Sequence, residues 1–305
     1  MTVPDFQSMM LPFLKIAGDG QEHSFGETVE TLAKQLNLSS EDLKETLPSG
    51  QSRYENRAGW ARTHLKKAGL LEQTGRGRFR ISARGKHVLK NSPVKIDLKF
   101  LMQFPEFVDF RKASRQGTKP GTDNEVGEEP DQTPEEALEN SYQRLRITLA
   151  QELLERIKGC SPGFFERLVV DLLVAMGYGG SRKDAGQAIG QSGDEGIDGI
   201  IKEDKLGLDA VYIQAKKWSP DRTVGRPVVQ AFMGSLAGQK ARKGVLITTS
   251  QFSQDAREYI NRIDTKIVLI DGEQLAQLMI DHGVGVSEVA TYTIKKVDVD
   301  YFENE

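Results

Sequence analysis

The chain has 305 residues, 38% of them hydrophobic and 28% charged, and a formal net charge of -3. This is the composition of an ordinary globular protein, long enough for two domains and too acidic overall to be coated uniformly in positive charge. The single cysteine, Cys160, excludes an internal disulfide; His23, His64, His87 and His282 lie at no metal-ligand spacing; and no apolar run is long enough to span a bilayer. A zinc site and a membrane location are not expected, and the absence of signal-peptide features predicts a cytoplasmic protein.

Apolar residues at helical spacing, Phe6, Met9, Met10, Phe13 and Leu14, predict a first helix. Ser24 and Glu27 form a capping-box pair that opens a second, with Val29, Leu32, Ala33 and Leu36 inward. Ser39 can cap a short third helix running through Leu43 to Leu47, which Pro48 and Gly50 end. A fourth helix is predicted over 54–68. It is followed by strands at 70–73 and 78–82 joined by the turn Thr74-Gly75-Arg76-Gly77.

Helices followed by a basic hairpin read as a winged helix, in which the helix before the hairpin enters the major groove and the wing touches the backbone. The charge pattern agrees. Between 51 and 90 stand Arg53, Arg57, Arg62, Lys66, Lys67, Arg76, Arg78, Arg80, Arg84, Lys86 and Lys90, against only Glu55 and Glu72. Such a block neutralises phosphates and gives salt-sensitive nucleic-acid affinity. Arg53, Tyr54, Arg57 and Trp60 are the nearest to specificity residues, although burial preference favours the core for Trp60.

From about Pro105 to Asp131 the sequence turns to Gly, Pro, Thr and acids and reads as a flexible acidic linker. Thr133, Pro134 and Glu136 then open a helix with Leu138, Tyr142, Leu145, Leu149, Leu153 and Ile157 on its apolar face; the face can pack on the second domain or on its copy in a dimer. The expected division is a winged-helix domain over 1–95, a linker over 96–132 and a second domain over 133–305.

In the last part, Ser161-Pro162 starts a helix that carries Glu166 in its first turn. Strands follow at 197–201, containing Asp198, and at 210–217, containing Gln214, Ala215 and Lys216. Further on come a helix after Pro227, a strand at 244–249, a helix capped by Ser253, a strand at 266–270 and a helix over 273–281. Strands alternating with helices argue for an α/β sheet flanked by helices. Gln214 and Lys216, two apart on one strand, share a face, and Asp198 joins them if the two strands pair. A carboxylate with carbonyl oxygens suits Mg²⁺, and a lysine beside it can orient water or stabilise charge on a phosphate. Singly, each residue has an ordinary reading as a turn, surface or edge residue.

The ordered set of Glu166, GDEGIDG around Asp198, QAKKW from Gln214 to Trp218, and VGRPVVQAFMGSLAGQKARKGVLITTSQF resembles the catalytic domain of the Mrr family of restriction endonucleases. NRAGWARTHLKKAGLLEQTGRGRFRIS resembles that family's N-terminal domain. The resemblance covers nearly the whole chain and is weakest in the linker. It implies a restriction-endonuclease-like PD-(D/E)XK fold behind a mainly α winged-helix domain, a divalent metal, and type IV restriction: cleavage of methylated double-stranded DNA. It makes Asp198 the metal-binding acid, joined in the metal site by Gln214 and Ala215, Lys216 the catalytic lysine, and Glu166 an auxiliary carboxylate. Gln214 stands where most of the superfamily has an acid, which removes one negative charge from the metal site, and Asp194 and Glu195 are close enough in sequence to supply another. Cutting both strands implies a homo-oligomer, a dimer or tetramer. Two other readings stay open: an inactive DNA-binding regulator on the nuclease fold, and a structure-selective repair nuclease.

Overall fold

The computed structural model describes residues 2–75, 77–115, 131–179, 196–202, 209–219 and 221–295. The chain divides into two compact units, Met1–Gln143 and Arg144–Glu305.

The first unit begins with α1 (Phe6–Ile16), capped by Asp5, whose carboxylate accepts from the backbone of Gln7 and Ser8. Its expected apolar stripe, Phe6, Met9, Met10, Phe13 and Leu14, is wholly buried. The Ser24–Glu27 capping box opens α2 (Phe25–Gln35), and Ser39 caps α3 (Ser40–Lys44). α3 stops short of the expected Leu47, because Thr46 instead bridges to Ser52 and readies the chain for α4 (Arg53–Lys67). Strands β2 (Leu71–Gly75) and β3 (Arg78–Ile81) form the expected hairpin. The sequence reading missed β1 (His23–Ser24), which pairs with β3 to complete a three-stranded antiparallel sheet in the order β1-β3-β2. On α4, Tyr54, Ala58, Ala61 and Leu65 turn inward onto α1, as a 3.6-residue period requires.

The expected division at residues 95 and 133 is corrected. α5 (Ala83–Lys90), α6 (Leu98–Leu101) and α7 (Pro105–Arg115) all belong to the first unit, and Ile96, Leu101 and Phe107 are in its core. Charge and Gly/Pro content misled the linker reading. Phe104, Phe107 and Phe110 recur three apart, one helical face, and pack on the core. Arg84 secures α7 with a two-pronged bond to Glu106, at 3.0 and 2.9 Å. The unit boundary instead falls inside the 26-residue helix α8 (Pro134–Gly159). Of the apolar face expected on that helix, Leu153 and Ile157 are buried, while Leu138, Tyr142, Leu145 and Leu149 are exposed.

The second unit is a four-stranded sheet in the order β4-β5-β6-β7, formed by Gly199–Lys202, Ala210–Lys216, Lys243–Thr248 and Lys266–Ile270. β4 and β5 are antiparallel, as the short connection predicts; β5, β6 and β7 are parallel. One core joins α9 (Pro162–Ala175) and α12 (Gly272–Asp281) to Val211, Ile213, Val245 and Ile247. A second joins α10 (Arg226–Gly238) and α11 (Gln254–Ile260) to Leu246 and Leu269. Helices thus cover both faces, as a sheet with buried parallel strands needs. Among the described residues, no helix is long and apolar enough to cross a membrane.

Candidate active site and basic cleft

Alternation along β5 sends Val211, Ile213 and Ala215 toward the α9 core, and Tyr212, Gln214 and Lys216 to the opposite face. Asp198 lies immediately before β4, not within it, yet is already in register: its N–H donates to Ile213 O at 2.8 Å. Its side chain reaches across the hairpin, where Oδ2 accepts from the Ala215 N–H at 2.7 Å. Asp198 is thereby fixed against the strand that carries Gln214 and Lys216.

Gln214 is only 5% exposed. Its Nε2 donates to Gly196 O, while Oε1 has no hydrogen-bond partner among the described residues. Gly196 makes this possible. It has φ +92°, and a Cβ there would lie 2.7 Å from Gln214 Nε2, so a side chain would both strain the backbone and displace the amide. On α9, burial and the neighbouring charge of Asp198 raise the pKa of the Glu166 carboxyl, and Arg167 and Lys216 oppose that shift. Lys217, by contrast, donates from its ammonium to Cys160 O, and of the two adjacent lysines it is Lys216 whose charge acts on Glu166.

A buried acceptor with no donor costs about 1–3 kcal/mol, and a cation would satisfy Gln214 Oε1. The Asp198 carboxylate, Gln214 Oε1 and the Ala215 carbonyl are hard oxygen donors of the kind Mg²⁺ takes together with water. The set therefore fits the metal expected from the sequence. Among the described residues there is no cluster of three His, Cys, Asp or Glu that could hold one by itself. Asp194 and Glu195 fall outside the described residues.

The basic block separates into two groups. Arg53, Tyr54 and Arg57, expected on a nucleic-acid surface, are engaged internally, and that expectation is corrected. Tyr54 is 1% exposed and donates to Val29 O. Arg53 and Arg57 both bind Oε1 of Glu136, at 2.9 Å each, and that carboxylate is 2% exposed; Arg57 also reaches Pro4 O. Trp60 is half-buried, donating Nε1–H to Glu135. Arg62, Lys66, Lys67 and Arg78 instead line an open cleft of about 720 Å³ between α4, the hairpin and α7, with Phe79 and Phe110 among its apolar walls. Arg62 stacks on Phe25 at 4.4 Å and Lys67 lies 5.1 Å over Phe110, which holds both cations on apolar ring faces. Arg78 and Arg80 are exposed on β3, paired with Glu22 and Glu72. Arg76 lies outside the described residues.

Comparison with known proteins agrees with this two-part layout. A restriction-endonuclease model, the Mrr catalytic type, matches residues 157–279, and the Mrr N-terminal domain model matches residues 6–91. The chain is 40% identical over 309 residues to the type IV methyl-directed restriction enzyme EcoKMrr of Escherichia coli (strain K12), covering 99% of this chain and 100% of the relative. Two solved structures align with part of it. The MspJI restriction endonuclease in complex with a 27-mer oligonucleotide is 26% identical with a TM-score of 0.34, over 44% of this chain and 31% of that one. The DNA modification-dependent restriction endonuclease AspBHI is 19% identical with a TM-score of 0.35, over 45% and 36%.

Proposed function

Because this chain belongs to the Mrr family of restriction endonucleases, we propose that it is a cytoplasmic, Mg²⁺-dependent enzyme that hydrolyses methylated double-stranded DNA, with Asp198, Gln214, Ala215, Lys216 and Glu166 as its catalytic centre. The first unit captures duplex through the cleft in which the cations Arg62, Lys66, Lys67 and Arg78 outnumber the carboxylates Glu72, Glu106 and Asp109, and that excess of positive charge suits a phosphate backbone. In the second unit Asp198, Gln214 Oε1 and the Ala215 carbonyl would hold the metal. When bound, Mg²⁺ supplies charge that polarises the phosphoryl oxygens and makes water easier to deprotonate.

The remaining chemistry belongs to the side chains. Water adds to phosphorus as a P–O ester bond breaks. The Lys216 ammonium orients that water and offsets the negative charge growing on the phosphate. Glu166, with its raised proton affinity, takes up the proton that water loses, and the leaving oxygen is protonated from solvent. A second copy, in a dimer or tetramer, provides the centre for the other strand.

The observation that carries this reading is the buried Gln214 Oε1, unpartnered among the described residues, on the strand whose next residue, Ala215, binds the Asp198 carboxylate. It is tested by incubating one plasmid, unmethylated or modified by a panel of DNA methyltransferases, with the protein and Mg²⁺, with Lys216→Ala as control. Cleavage confined to modified plasmid and absent from the control is expected. Binding without cleavage of any form would favour a regulator instead.

A further inference from the structure

Apart from the basic cleft, α4 has a second outward surface. Asn56, Gly59 and Thr63 recur at spacings of three and four on the side away from Tyr54, Ala58, Ala61 and Leu65, and line a cleft of about 260 Å³ together with Gln51, Glu55 and Glu135. Three features of this surface have no explanation in the packing of the unit.

Gly59 sits in the middle of a 15-residue helix, where glycine disfavours the helix relative to alanine. Sterics do not require it: a Cβ would meet only the Phe25 ring, at an ordinary 3.8 Å. Asn56 is 4% exposed and lines the cleft, yet its Oδ1 has no partner among the described residues; its Nδ2 donates to Gln51 Oε1 at 3.3 Å. Thr63 turns its hydroxyl back to Gly59 O at 2.9 Å, which leaves its methyl group as the part able to meet a ligand.

The charge of the lining selects the ligand. Glu55 and Glu135 bring two carboxylates, the latter held by Trp60 Nε1–H at 2.7 Å, against the single cation of Arg62, which stacks on the Phe25 ring, and the net negative charge disfavours a phosphate. Carboxylate and amide oxygens accept from the exocyclic amino groups that adenine and cytosine present in the major groove, and a threonine methyl suits an apolar group on a base edge. A helix position lacking a Cβ lets that edge approach the backbone closely.

We infer that the Asn56–Gly59–Thr63 face of α4 is the base-reading surface of this protein, taking the major-groove edge of an amino-bearing base, adenine or cytosine, while the neighbouring basic cleft holds the backbone. This rests on the reading of the chain as a DNA-cleaving enzyme and adds the residues that choose the site.

The test uses the full chain carrying Lys216→Ala, so that bound DNA is not cut. Short duplexes of random sequence, unmethylated or methylated at adenine or cytosine, are selected for binding, and the enrichment of bound sites is compared with that of the same protein carrying Gly59→Ala or Asn56→Ala. Gly59→Ala is expected to keep or raise the melting temperature, yet to lower enrichment roughly tenfold or more, the discrimination one good base contact supplies, with affinity for bulk duplex retained. A merely structural Gly59 would leave enrichment unchanged, and that result overturns the inference. Enrichment of unmethylated sites that is lost in Gly59→Ala would refute methyl direction while supporting the reading face. Selection of no site by the parent protein would overturn both.

Discussion

Replacing Glu136 with alanine tests whether Arg53 and Arg57 are structural. The carboxylate is 2% exposed and has two tasks: Oε1 binds both guanidinium groups at 2.9 Å, and Oε2 accepts from Thr133 N at 3.0 Å in the capping box that starts α8. Removing one partner of a buried ion pair costs about 3–5 kcal/mol, and losing a cap about 1 kcal/mol. The two arginines keep some compensation, Arg53 from Glu45 at 2.7 Å and Arg57 from the carbonyls of Val3 and Pro4, and at 27% and 16% side-chain exposure they are partly hydrated. That places the expected loss near the lower limit, about 3 kcal/mol, or roughly 10 °C in the melting temperature of the first unit. The chain has two tryptophans, Trp60 in the first unit and Trp218 in the second, so in a Trp218→Phe background the fluorescence of Trp60 during urea unfolding reports the first unit alone. An Asp at 136 is expected to recover part of the loss. A variant with alanine at 136 that unfolds within 0.5 kcal/mol of its parent, roughly the level of a neutral surface change, would refute the buried clamp and return both arginines to the DNA surface.

Lys66→Ala with Lys67→Ala is expected to weaken binding to all duplexes alike, and to reduce the slope of log affinity against log salt by about 0.9 for each phosphate that is no longer neutralised, measured by anisotropy titration. Gln214→Glu places a carboxylate oxygen against Gly196 O in place of the amide donor; the metal-free protein should lose about 1–3 kcal/mol, with Mg²⁺ raising its melting temperature more than it raises that of the parent. An equal Mg²⁺ response in both would remove Gln214 from the metal site. His64 stacks near Phe6, Trp60, Phe107 and Phe110, donates Nδ1–H to Trp60 O, and is pushed below its ordinary pKa of 6.5 by burial. Its neutral form is favoured on folding, so its contribution is complete above pH 6.5 and is lost as the pH falls from there through the lowered folded value. Urea unfolding from pH 7 to about pH 5 should show that loss, and His64→Phe should flatten it.

What could be read in the sequence was local. The cap pairs Ser24–Glu27 and Thr133–Glu136, the helical stripe on α1, and the β4–β5 hairpin depend on neighbours a few residues apart, and the structure contains each of them. That Asp198 lies against the strand carrying Gln214 and Lys216 was legible for the same reason, since one short hairpin places it there. The fate of Arg53 and Arg57 was not, because the carboxylate that neutralises them is 83 and 79 positions away; charge counting along the chain treats both as free cations. α7 was hidden differently: its acids and the Gly- and Pro-rich residues after it suggested a linker, whereas three phenylalanines three apart were the signal that could have revealed a packed helix. Gly196 carried no signal either, since the contact that demands a glycine comes from Gln214, eighteen residues on.

The mixed direction of the second sheet also orders events in time. β4 and β5 are adjacent in sequence and antiparallel, with Lys202 opposite Ala210, so they can meet as a hairpin within microseconds. β6 and β7 must each wait for a helical crossover before they join in parallel. The residues flanking Asp198 and the strand that carries Lys216 can therefore pair before the rest of the sheet is assembled. Destabilising substitutions at the β7 edge should consequently speed unfolding more than they slow the formation of this hairpin.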